Sequence, residues 1–157
     1  MDAQAPNPVF GAWARTHLHP HLTLLRPEVT FGDSRFDFYW EAPGIQGFWE
    51  VKGVTLEQGG IARFPDAPTQ RGVKHLEELI HARKEGYRAG LCFLVQMEGM
   101  RWVEPNDATH PEFGATLRRA VQAGVEVLAL ECRVWPSGLE VKGPLPVRLA
   151  LSASIQG

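Results

Sequence analysis

Cysteine is scarce in this chain of 157 residues: there are two, Cys92 and Cys132, too few for a disulfide framework. Cys92 lies in an apolar run and Cys132 in a strand-like one, and each reads as a small buried hydrophobe rather than a ligand or a nucleophile. No apolar run approaches the roughly 20 residues needed for a membrane-spanning helix. The opening Met1-Asp2-Ala3-Gln4-Ala5-Pro6 lacks the basic and apolar regions of a secretory leader, so a cytoplasmic location is expected. Excess positive charge is missing too: net charge is −2 and the pI about 6.3. Binding to nucleic acid would therefore need a local basic patch. Internal repeats and low-complexity segments are absent. With 44% hydrophobic and 22% charged residues, the composition is that of a single globular domain.

Alternation is what the sequence does have. Arg35-Phe36-Asp37-Phe38-Tyr39-Trp40-Glu41 reads as a strand with Phe36, Phe38 and Trp40 on one face and Arg35, Asp37, Tyr39 and Glu41 on the other. Phe48-Trp49-Glu50-Val51-Lys52 alternates likewise, with Glu50 and Lys52 opposite Trp49 and Val51. Pro43-Gly44 and Gly47 punctuate the gap, which predicts a hairpin joining the two strands. Asp37, Glu50 and Lys52 would then meet at one spot on a sheet. Two carboxylates and an ammonium suit a hard divalent cation, Mg²⁺ or Mn²⁺, beside a phosphodiester. A cross-strand salt bridge on a solvated face is the competing reading of so short a pattern. Glu140-Val141-Lys142 repeats the spacing near the end of the chain, with no helix following to cover it, and reads as an exposed edge strand.

Elsewhere, Asn7-Pro8 predicts a helix start whose stripe (Val9, Phe10, Trp13, Ala14, His17) ends before Pro20. Glu28–Phe31 reads as a strand, and the Glu50 strand as running to about Leu56, with 57–60 a loop. Thr69 is a good N-cap for a helix over 70–85, with Val73, Leu76, Leu79 and Ile80 inward. Residues 89–97 are almost continuously apolar, as in a strand covered on both faces. Thr109 and Glu112 suggest a capping box for a second long helix with Phe113, Leu117, Ala120 and Val121 inward. Strands over 125–134, 139–141 and 145–149 complete an α/β fold, a mixed central sheet flanked by helices, with a loose tail from Ala150. His17, His19 and His21 alternate, but Pro20 interrupts them and argues against a zinc site. Trp102 and Trp135 read as core or rim residues.

The string Phe64-Pro65-Asp66-Ala67-Pro68-Thr69-Gln70-Arg71-Gly72-Val73-Lys74-His75-Leu76 follows Val51-Lys52-Gly53-Val54-Thr55-Leu56. With Ser34-Arg35-Phe36-Asp37-Phe38 upstream, it resembles the sugar fermentation stimulation protein A (SfsA) family over about residues 9–149. The resemblance implies a restriction-endonuclease-like, PD-(D/E)xK core and a DNA-binding protein. Asp37 matches the strand carboxylate, and Glu50 and Lys52 match the ExK. Glu28 matches a further acidic position, an extra metal ligand or a surface glutamate. Pro65-Asp66 follows the ExK and is not the PD element. Two departures stand out: Gly53 replaces a small polar residue, and the family's N-terminal OB-like barrel is expected to be missing, so that DNA affinity is reduced or a separate OB-like domain or a homo-oligomer supplies it. Arg35, Thr69, Arg71, Lys74 and His75 are candidate DNA contacts, the last four at the start of a helix whose amides can face phosphate. Capping by Asp66 and Thr69 is the alternative for that stretch. Three roles remain open: a Mg²⁺- or Mn²⁺-dependent nuclease, a catalytically silent, non-specific DNA-binding regulator linked to sugar metabolism, and an assembly module for a separate barrel.

Overall fold

A computed structural model describes residues 6–150. Helix α1 (Pro6–His17) precedes strands β1 (Leu24–Phe31), β2 (Ser34–Ala42), β3 (Ile45–Val54), β4 (Leu56–Gln58) and β5 (Ile61–Phe64). Helix α2 (Gln70–Lys84) leads into β6 (Arg88–Val95) and β7 (Val103–Pro105), and helix α3 (Pro111–Gln122) into β8 (Glu126–Trp135) and β9 (Gly138–Leu145). The fold class is the mixed α/β one expected. A six-stranded sheet runs β1-β2-β3-β6-β8-β9; β3, β6 and β8 are parallel and the outer pairings antiparallel. Central β6 is buried along all but its first residue, which is why it reads as an unbroken apolar run.

The helices divide between the two faces. Residues of α2 and α3, including Val73, Leu76, Leu79, Phe113 and Leu117, pack with Phe48, Leu91 and Phe93 in one core. Phe10 and Ala14 of α1 pack with Phe38, Trp40, Trp49 and Val51 in the other. Burying two apolar layers of this kind, at about 25 cal/mol per Å² removed from water, is what holds α1 and α2 on opposite sides of the sheet.

Several expectations are corrected. Phe36 does not share the face of Phe38 and Trp40: β2 twists as it parts from β3, and Phe36 packs on Phe48, ring centroids 4.6 Å apart, in the α2 core. The Glu50 strand ends at Val54, and 56–64 form a second hairpin rather than a loop. Gly59 and Gly60 both have positive φ (62° and 81°), the two-residue turn that matches strand twist. That hairpin and β7, which the sequence did not suggest, form a separate three-stranded sheet. Helix α3 starts after His110 with Pro111 at its first turn and no side-chain cap, so the Thr109 capping box does not form. Val121 is 38% exposed, and Thr116 takes its place inward. The last described strand is one continuous β9 over 138–145, and among the described residues beyond it there is a bridge from Val103 to Val147. Almost all of the tail expected to be loose lies outside the described residues.

Candidate active site in a splayed sheet

Strands β2 and β3 pair from Ala42↔Ile45 to Phe38↔Trp49 and then diverge, while β3 stays paired with β6 through Val54 and β2 with β1 through Ser34. Divergence strips ladder partners from the amides on either side of the gap, and buried amides must be satisfied. Two side chains do so reciprocally. The Asp37 N–H donates to Glu50 Oε1 (2.9 Å), and the Val51 N–H donates to Asp37 Oδ2 (2.8 Å). Asp37 Oδ1 also accepts from Asn7 Nδ2 of α1 (3.1 Å). The fork thus fixes both carboxylates side by side.

Glu50 is 2% exposed, and burial, then the neighbouring Asp37 charge, push its pKa up to about 8. Lys52 Nζ lies 3.7 Å from Glu50 Oε2 and 2.6 Å from His75 Nδ1. Burial lowers the Lys52 pKa, against the opposing pull of Glu50 and Asp37. His75, brought in by the first turns of α2, has its pKa driven down to about 4 by burial and then by the Lys52, Arg71 and Lys74 charges. It is therefore neutral at pH 7, so its 3.1 Å approach to Glu50 Oε2 is not an ion pair. The Nδ1 lone pair instead accepts from the Lys52 ammonium, which leaves the ring proton on Nε2.

Asp37, Glu50 and His75 line a cleft of about 910 Å³, whereas Lys52, in contact with Glu50 and His75, is not among its lining residues. Asn7, Pro8, Gly11, Ala12 and Arg15 of α1 make one wall, and Arg71, Lys74, His75 and Glu78 of α2 the other. Pro27, Glu28, Asp33 and Arg35 close the β1–β2 side. Glu28 has φ of 53°, an uncommon conformation for a residue with a Cβ, and pairs with Arg35; both are exposed. It reaches the cleft, but among the described residues no three His, Cys, Asp or Glu side chains stand close enough to hold an ion together. The extra ligand expected at Glu28 is accordingly not assembled with Asp37 and Glu50.

The string at 64–75 divides between structure and cleft. Asn106 Nδ2 donates to the Pro65 carbonyl (2.9 Å), and the Thr69 N–H donates to His110 Nδ1 (3.0 Å). The Thr69 hydroxyl accepts from the Gly72 N–H (2.9 Å), so Thr69 caps α2 rather than lining the cleft. Gln70 turns away to Glu112. Gly72 is required where it stands, because a Cβ would lie 2.9 Å from Thr69 Cγ2 and 3.2 Å from the Phe113 ring. Only Arg71, Lys74 and His75 of the string face the cleft. Lys74 is 3.8 Å from Glu78, one turn on, whereas exposed Arg71 has no ion pair among the described residues.

Gly53 is explained by packing: a Cβ there would meet Gln96 Nε2 at 3.0 Å and Pro6 Cγ at 3.1 Å. Asn7, Arg15, Asp33 and Glu78 are cleft residues that sequence reasoning missed. Asn7 and Arg15 sit on α1 of the opposite sheet face, and no local pattern ties them to Asp37. The three histidines near α1 form no site: His17 stacks on Trp13, His19 stacks on Trp40, and the His21 N–H donates to His19 Nδ1. Both cysteines are buried, with burial raising each thiol pKa. No described helix is long and apolar enough to cross a membrane.

A mixed sheet with helices on both faces, splayed where an aspartate and a glutamate satisfy each other's strand, defines a restriction-endonuclease-like α/β domain. Residues 4–138 match the family described as "Sugar fermentation stimulation protein RE domain". The chain belongs to the sugar fermentation stimulation protein (SfsA) family. It is 47% identical over 149 residues to a sugar fermentation stimulation protein homolog of Desulfitobacterium hafniense (strain DSM 10664 / DCB-2), covering 95% of this chain and 65% of that protein. A homolog from Clostridium beijerinckii is 47% identical over 150 residues, with 95% and 66% covered. The structure of Pyrococcus furiosus SfsA in complex with Ca²⁺ superposes with a TM-score of 0.85 at 29% identity, covering 94% of this chain and 65% of that one. The chain thus spans about two thirds of the length of these relatives.

Proposed function

We propose that this domain engages DNA in the cleft and hydrolyses a phosphodiester with the help of a divalent cation held by Asp37 and Glu50. The observation that carries this reading is the fork at the splayed strands, which, in satisfying two orphaned amides, holds a buried glutamate and a half-buried aspartate side by side at the cleft. Burial and mutual repulsion hold Glu50 protonated in the metal-free protein, and a divalent cation is what would offset both. The donor set fits Mg²⁺ or Mn²⁺, which prefer carboxylate oxygen and take one or two protein carboxylates plus waters and substrate phosphate. A hard cation is also what the Pyrococcus furiosus relative contains. When bound, such an ion supplies Lewis acidity toward a phosphoryl oxygen.

The chain's own groups do the rest. Arg71 and Lys74 draw the phosphate backbone to the α2 wall, and Arg35 adds a cation at the rim. Lys52, held by His75, places an ammonium where charge grows on the scissile phosphate. Asn7 keeps Asp37 turned toward Glu50. The test is nicking of supercoiled plasmid with Mn²⁺: slow cleavage is expected from the wild type, and none from Lys52→Ala with fold and metal binding intact. A Lys52→Ala protein that nicks at the wild-type rate would contradict the role given to the lysine.

One observation favours a second reading. With no third ligand assembled among the described residues, the site suits DNA retention without turnover. Retarded but uncleaved DNA with every divalent ion tried would select it.

A further inference from the structure

Resting on the reading just given, we propose that Arg15 of α1 is a second phosphate-binding residue, so that the DNA backbone crosses the cleft from the α2 wall to the α1 wall and is held from both sides. The cations of the cleft differ in how free they are to act. Arg35 pairs with Glu28 and Lys74 with Glu78, so part of the attraction each offers a phosphate is already taken up by a carboxylate. Arg15 and Arg71 are exposed, line the cleft and have no ion pair among the described residues. They stand on opposite walls. The β1–β2 side, by contrast, sets Glu28 and Asp33 against Arg35 alone and repels a backbone that would leave that way.

Helix geometry separates the two contacts. Asn7, Pro8, Gly11, Ala12 and Arg15 follow at the spacing of one helix face, and all of them line the cleft. Asn7 Nδ2 donates to Asp37 Oδ1, which pins the start of that face beside the acid pair. Arg15 comes two turns later, about 12 Å farther along the axis. Arg71 is nearer the acids, since its charge acts on both Lys52 and His75. One DNA strand carries a phosphate about every 3.4 Å of its axis, so Arg15 meets a phosphate other than the one over Asp37 and Glu50. A cation in the last turn of α1 also suits the negative end of the helix dipole. That attraction acts on stability and leaves DNA affinity untouched, which separates the two roles by experiment.

Affinity for a short fluorescent DNA duplex with single-stranded ends is measured by anisotropy in Ca²⁺ over a series of salt concentrations. Wild type is compared with Arg15→Ala, Arg15→Lys, Arg71→Ala, the double alanine variant and Arg133→Ala. Arg133 is exposed on the β8–β9 hairpin and lines no part of the cleft, so its loss controls for net charge. Arg15→Ala is expected to reduce the slope of log K against log salt by about one unit, as Arg71→Ala does, and the double variant by about two. Arg15→Lys and Arg133→Ala are expected to keep the wild-type slope. A slope lowered by Arg71→Ala but not by Arg15→Ala, or lowered as much by Arg133→Ala as by Arg15→Ala, would overturn this inference and leave the proposed function standing. A lower melting temperature in Arg15→Ala with an unchanged slope would assign the side chain to the helix dipole and overturn it as well. Failure of the wild type to bind the probe would overturn both.

Discussion

Replacing Glu50 by glutamine should change how the metal-free protein responds to pH. In the fold the Glu50 carboxyl keeps its proton up to about pH 8, whereas unfolded it loses it near 4.5. A raised carboxyl contributes stability that is fully present below 4.5 and is lost as pH rises through 8, since the native state binds the extra proton. His75 acts with the opposite sign, but only between 6.5 and about 4, where the unfolded state takes up the proton that the fold refuses. Lys52, lowered from 10.5, also acts oppositely, from 10.5 down to its lowered value. A fall in stability between pH 6.5 and 8 therefore carries the sign of Glu50, opposite to that of both His75 and Lys52. At about 1.4 kcal/mol per pH unit, the wild type loses about 2 kcal/mol across it. For a domain of this size that corresponds to roughly 4–8 °C in melting temperature. Thermal melts in EDTA at pH 6.5, 7.0, 7.5 and 8.0 provide the assay, with Glu50→Gln expected to be nearly flat. Saturating Mn²⁺ should reverse the wild-type trend, because the ion favours the deprotonated acid and adds about 2.7 kcal/mol at a hundredfold excess over Kd. Parallel slopes for wild type and glutamine variant in EDTA would refute the reasoning.

Two further outcomes follow from the cleft. Asn7→Ala removes the hydrogen bond that orients Asp37 from α1 and should weaken Mn²⁺ binding roughly tenfold while leaving the melting temperature of the metal-free protein nearly unchanged, as calorimetry and melting will show. Arg71→Ala should weaken DNA binding uniformly across sequences and reduce the slope of log K against log salt by about one unit; an unchanged slope would remove Arg71 from the interface.

Periodicity revealed the long elements because burial on one or two faces writes itself into the sequence: β6, α2 and β8 lie close to where alternation and capping place them. Short elements escaped for the same reason in reverse. β7 and the 56–64 hairpin bury too few residues to leave a pattern, and Gly59-Gly60 looks the same in a loop as in a tight turn. The two Glu-Val-Lys triplets show where spacing stops being informative. Glu50 is buried in a central strand, whereas Glu140 is exposed on edge strand β9 and Lys142 pairs with Glu98 at 3.8 Å. Location in the sheet, set by parallel pairing with β6, makes the difference. Asn7 lay beyond sequence reasoning because its partner is 30 residues away and on another layer.

Calorimetric titration of Mn²⁺ into the protein and into Asp37→Ala tests the central claim most directly. The account predicts one saturable site in the wild type, with affinity rising with pH toward 8 as Glu50 gives up its proton, and no measurable binding in the variant. Equal binding by the two proteins, or no binding by the wild type, would contradict it.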